Sequence, residues 1–175
     1  MKNHRKPLKV IVLCAALMIF CSVLLFSCKG ESALNLNLKE LADIIIEKIN
    51  LPEDDIIEYT PDQIQTNYGI SSDNAVQIVI IKKLDISNIS NAEVLILVEA
   101  ADKDKAKEIE NNLKTHKTYK LNELMNYTIN PDNERQYYIV EGADIIVNRQ
   151  YVFWAVFPET KEIGDMINDY IKNSK

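Results

Sequence analysis

The chain has 175 residues, 47% of them hydrophobic and 26% charged, with a formal net charge of −6. That length and apolar share exclude a disordered chain and allow one domain with a core of its own. The acidic balance excludes a nucleic-acid partner, and it also excludes attachment to anionic headgroups through a basic patch.

The first element is a leader. Lys2, Arg5, Lys6 and Lys9 form a basic segment, and residues 10–26 follow as a 17-residue run without a charge. A spanning helix needs roughly 20 apolar residues and a signal-peptide core about 7–15, so length alone leaves both readings open. The end of the run separates them. Leu25-Phe26-Ser27-Cys28 resembles the lipobox of bacterial lipoprotein signal peptides, with Leu25, Ser27 and Cys28 on the pattern and Phe26 bulkier than its usual residue. The resemblance implies a thioether from Cys28 to diacylglycerol and cleavage before Cys28. The chain would then divide into a signal peptide (1–27), a short tether (28–36) and a single domain (37–175). The alternative is an uncleaved N-terminal anchor with an incidental cysteine. In both readings the basic residues hold the N-terminus inside, so the domain lies in the cell envelope on the extracytoplasmic, extracellular side of the membrane.

Removing residues 1–27 leaves 148, with 16 basic against 26 acidic residues, a balance of −10. Cys14 and Cys21 leave with the leader, so the remaining part has no pair for a disulfide and depends on its core. Residues 29–36 extend at most roughly 26–29 Å and keep the domain near the bilayer. The abundance of Ile, Asn and Lys, with three Arg, suggests an AT-rich genome. With the lipobox it points to Gram-positive bacteria.

Residues 37–49 place Leu38, Leu41, Ile45 and Ile49 at helical spacing, with Asn37 as N-cap. "LPEDD" ends that helix, and 61–69 predicts a short helical turn after Thr60 that stops at Gly69. Residues 76–84 and 92–100 are aliphatic runs of strand length, apolar on both faces at their centres, and such strands are covered on both sides. The seven residues between them suit an antiparallel connection. Residues 102–126 predict a long amphipathic helix with Ala106, Ile109, Leu113, Leu121 and Leu124 on its stripe and Asp102 at its N-terminus. A short helix follows from Pro131 to Gly142. Residues 143–148 and 151–157 read as a hairpin, and 159–171 as a closing helix able to fold back over it. The fold class is therefore α+β: a mostly antiparallel four-stranded sheet with helices packed on it.

Taken together, "LADIIIEKI", "YGI" at 68–70, the paired runs "AVQIVIIKKL" and "NAEVLILVEA", the segment from "DKDKAKEIENN" to "EGADIIV" and the aromatic strand "YVFWAVF" resemble a bacterial lipoprotein family known as domain of unknown function 4358. The resemblance runs from about residue 36 to 160 and rests on order and spacing. The turn before the last strand, Asn148-Arg149-Gln150-Tyr151, departs from the family's Gly-Asn-Tyr. The family implies location and fold and brings no activity with it.

The search for chemistry finds no catalytic, cofactor-binding or metal motif. His116 is the only histidine after the leader, and one imidazole makes neither a metal cluster nor a relay; it reads as a helix-edge residue. Asp102-Lys103-Asp104 lacks the glycine and distal glutamate of a calcium loop and reads as a helix cap. Asp54-Asp55 reads as a solvated turn. Four glycines in all leave no phosphate cradle. The aromatic cluster is the main surface candidate. Trp154 is expected in the core, and Tyr137, Tyr138 and Tyr151 are the candidates for a binding face.

These features point to a membrane-anchored lipoprotein that acts as a non-enzymatic binding module near the bilayer. Its partners would be the lipid bilayer, through acylated Cys28, and an envelope protein or ligand. Two alternatives are a carboxylate-dependent hydrolase of envelope glycan or peptide, and a small solute-binding lipoprotein. The anchor has a direct test. Cys28→Ala should abolish incorporation of labelled fatty acid and leave a slower-migrating precursor; wild-type protein that takes up no label and keeps residues 1–27 would establish the uncleaved anchor instead.

Overall fold

The computed structural model describes residues 34–85, 91–126 and 131–174. The leader, Cys28 and most of the tether lie outside the described residues, as do 86–90 of the connection between the two aliphatic strands. Residues 36–175 form one compact unit.

Helix α1 (Leu38–Lys48) begins where Asn37 caps it, its side chain accepting from Glu40 N at 3.2 Å. The Pro52 turn leads through a 3-10 segment (Glu53–Asp55) into a three-residue strand β1 (Ile56–Glu58). Thr60 and Gln63 then form a reciprocal capping box, Pro61 takes the first helical position, and α2 runs Pro61–Tyr68 to Gly69 at φ 66°. Strands β2 (Ala75–Lys83) and β3 (Val94–Ala100) follow. Helix α3 (Lys103–Asn126) starts on Asp102, whose carboxylate accepts from Lys105 N at 2.7 Å, which confirms the capping role. Helix α4 (Pro131–Gly142), strands β4 (Ile145–Asn148) and β5 (Tyr151–Val156) and helix α5 (Thr160–Asn173) complete the described chain.

The sheet has five strands, not four, in the order β1-β2-β3-β5-β4, and every neighbouring pair is antiparallel. The added strand is β1. Three residues between a proline turn and a helix cap are too few to show an alternating pattern, and their strand state comes from pairing with residues 81–83 of β2.

Helices cover both faces. On one side, Ile64 and Tyr68 of α2, Ala106, Ile109 and Leu113 of α3 and Val140 of α4 pack with Ile96, Val98, Val152 and Trp154. On the other, α1 lies over β2 and β3, α5 lies over β5, and Tyr170 Oη of α5 donates to Asn37 O at the start of α1. Helix α5 therefore covers the Phe153 side of the hairpin, whereas Trp154 is covered by α3 and α4. Trp154 Nε1 donates to Ala143 O at 3.3 Å, and Lys117 Nζ of α3 donates to the same carbonyl and to Glu141 O. This lysine satisfies the carbonyl end of α4.

One polar cluster ties the far end of the sheet to α4. Gln136 Oε1 accepts from Ala92 N, Asn91 bridges Glu93 N and Lys83 O, and the buried Glu93 carboxylate meets Lys83 Nζ at 2.9 Å. The buried polar side chains of this cluster, Asn91, Glu93 and Gln136, thus have partners, as burial requires.

Trp154 is 1% exposed and Tyr138 is 60% exposed. Trp154→Ala should therefore destabilise the fold by about 3–5 kcal/mol, and Tyr138→Ala should change it by no more than about 0.5 kcal/mol. Urea unfolding followed by circular dichroism measures both; equal effects would show that the two aromatics are misplaced.

Candidate functional site

A large hollow lies along the outer edge of β2. Its origin is local sequence. After Glu58 the chain cannot continue as a strand, because Thr60 caps a helix and Pro61 has no N–H to pair. Strand β1 accordingly ends at the Glu58–Ile81 pair, and residues 75–80 of β2 have no neighbour on that side among the described strands.

The main-chain polarity of this edge follows from two bonds. Lys83 N donates to Glu93 O, on the β3 side, and Leu84 N donates to Asp55 O, on the β1 side. Antiparallel strands alternate the direction of their polar groups residue by residue. Ile81 and Val79 therefore bond inward to β3, and the N–H and C=O of Ile80 and Ile78 point away from it, those of Ile80 just beyond the end of β1 and those of Ile78 toward the open edge. Val76 sits at the register shift between Ala75 and Gln77 and is 69% exposed.

The hollow is a slot of about 1000 Å³ with two unlike walls. Helix α1 contributes Asp43, Ile46 and Glu47, and Glu58 joins that side, sharing the orientation of its partner Ile81. Opposite stand Tyr59 and Ile64 with Ile78, which belong to the apolar side. Four carboxylates, Asp43, Glu47, Glu53 and Glu58, line the slot, against the single cation Lys39. All four are exposed.

The predicted binding-face tyrosines do not form a single surface. Tyr151 is fully buried; its ring stacks on Phe153 at 6.2 Å and its hydroxyl accepts from Leu36 N at 3.1 Å. It belongs to the core on the α1 and α5 side, because the strand alternation that aims Trp154 at α3 aims Tyr151 the other way. Tyr137 and Tyr138 meet edge to face on α4, Tyr137 half-buried with its hydroxyl on Glu141 and Tyr138 exposed.

His116 is half-buried on α3, its ring 4.8 Å from Tyr68 and 6.0 Å edge-on from Trp154. Among the described residues, no group of three or more His, Cys, Asp or Glu could hold a metal ion. No described helix is long and apolar enough to cross a membrane, and the apolar run at 10–26 lies outside those residues.

The sequence model of a domain of unknown function, DUF4358, matches residues 51–157. The chain belongs to this family. The match is narrower than the resemblance over about 36–160: it takes in all five strands and α2 to α4, and it leaves α1 and α5 outside. The apolar wall of the slot is thus within the DUF4358 region, and the α1 wall is not. No curated protein and no solved structure matches the chain.

Burial pushes the His116 imidazole below its ordinary 6.5, and the nearby Lys82 and Lys120 act the same way; a hydrogen bond to the Asn67 backbone and the Glu123 carboxylate oppose them. A depressed folded-state value favours neutral histidine in the fold. The resulting stabilisation is complete above the unfolded value and is lost as pH falls through the folded one. Proton NMR of the His116 ring should give a midpoint below 6.5, and His116→Phe should flatten that part of the stability profile. A midpoint at or above 6.5 would show that burial does not govern this ring.

Proposed function

We propose that this DUF4358 chain is a lipid-anchored, extracytoplasmic binding module that holds another envelope polypeptide close to the bilayer. The observation that carries the reading is the slot: an apolar wall, an acidic wall and a row of main-chain donors and acceptors along one sheet edge. A polypeptide is the ligand class that can use all three at once. Acylation at Cys28 and the short tether would hold the slot within reach of membrane-proximal partners.

The exposed carboxylates favour binding over hydrolysis, since a glycosidase needs one carboxyl held protonated by burial. The slot is also an edge of a sheet and not a cleft between lobes, which disfavours enclosure of a small solute. Tyr137 and Tyr138 remain as a second, smaller contact patch on α4.

A photo-crosslinking amino acid placed at Ile46 or Ile78 in growing cells should give a discrete adduct with one envelope protein, and placed at the exposed Tyr119 it should not. Cys28→Ala should sharply lower the yield from the slot positions. Equal crosslinking from slot and control positions, or adducts with glycan alone, would overturn the reading.

A further inference from the structure

The part of β2 that no described strand pairs on its outer side is built unlike a protected sheet edge. Natural edges are blunted by lysine, proline or a covering element. Residues 75–80 read Ala-Val-Gln-Ile-Val-Ile, without a charge or a proline, while Lys82 and Lys83 fall on the portion that β1 already pairs. The open stretch of six residues spans about 20 Å at the usual rise of a strand. The main-chain groups of Ile78 and Ile80 border the slot of about 1000 Å³, and residues of α1 and α2 line it on the two faces of the sheet.

A strand laid there sends successive side chains to opposite walls. Those on one side meet Asp43, Glu47 and Glu58. Those on the other meet Tyr59, Ile64 and Ile78. We infer that the slot takes an extended peptide segment as an added strand on β2, with basic residues alternating with apolar ones. This deepens the docking reading above and rests on it. A second copy of the chain is disfavoured as occupant, because two acidic rims would face each other and the chain has a formal net charge of −6.

The test uses the full-length chain in detergent micelles and a fluorescein-labelled peptide of about seven residues, alternating lysine and valine. Three probes follow from the geometry. The peptide should bind, and a glutamate–valine counterpart should bind at least about tenfold more weakly. A lysine–valine peptide N-methylated on alternate amides, so that it cannot complete the ladder in either phase, should lose at least about tenfold. Joint Asp43→Lys and Glu47→Lys substitution should weaken the lysine peptide and strengthen the glutamate one. Ile78→Pro removes an outward donor and no bond to β3, so it should block binding while circular dichroism stays unchanged. In amide exchange, Ile78 and Ile80 should exchange quickly in the free chain and slow on adding peptide.

Undiminished binding of the N-methylated peptide, or unprotected Ile78 and Ile80 amides in the complex, would overturn strand addition while leaving a polypeptide-binding slot intact. Equal binding of the lysine and glutamate peptides would overturn the cationic preference. Protection of both amides before any peptide is added would show that the chain's own residues or a second copy fill the edge, with sedimentation separating these, and would overturn the proposal. If Ile78→Pro fails to fold, the paired methylated and unmethylated peptides still decide. Crosslinks absent from Ile46 and Ile78 in cells, by contrast, would defeat the docking reading itself.

Discussion

Strands β3 and β5 have no polar face, and the architecture follows from that. In β3 only Glu99 is less than buried, and β5 is buried from Tyr151 to Val156. A sheet whose two central strands are apolar on both sides must be covered twice. One layer is supplied by α2, α3 and α4, the other by α1 and α5. Without either layer a full row of aliphatic and aromatic side chains would meet water, at a cost of about 1.5–3 kcal/mol for each large one. With no disulfide among the described residues, this double burial carries the stability of the domain.

Much of this was legible because the local signals agree with one another. Asn37, the Thr60-Pro61 pair with Gln63, Gly69, Asp102 and the Pro131 to Gly142 span mark helix ends by the chemistry of capping, which needs only neighbours in sequence. The aliphatic runs mark β2 and β3, and the alternation in 151–157 sorts Trp154 from Phe153. What sequence could not show is spatial. The strand order, with β5 inserted between β3 and β4, depends on long-range pairing. The identity of the helix over each face of the hairpin depends on that order, which is why the sequence shows that α5 can fold back over the hairpin but not that it lies on the Phe153 side.

The candidate site was illegible for a different reason. It is defined by a neighbour that β2 lacks among the described strands. No residue in 75–80 announces it, and β1 was too short to be recognised. The usable signal was a mismatch of lengths: a strand of nine residues preceded by a segment that a proline-initiated helix cuts short after three. Tyr151 illustrates the opposite error. An aromatic in a strand can serve a surface or a core, and only the packing of Phe153 and Leu36 around it decides between them.

The same capping box that stabilises α2 leaves the edge open, so the two features cannot be separated. Were Thr60 and Pro61 replaced by residues that prolong β1, the strand would run on beside Ile80 and Ile78 and close the slot with the chain's own backbone, while Ile64 and Tyr68 would lose the helix that carries them into the core. A solvated edge costs little, because its N–H and C=O groups bond to water. What it exposes is the risk of pairing with any other strand. The acidic wall of α1 answers that risk in part. On the proposed reading it would repel acidic chains, including another copy of this one, and leave the edge accessible to segments of opposite charge. On that reading stability and selectivity at this edge come from different elements: the first from a helix cap inside the DUF4358 region, the second from a helix outside it.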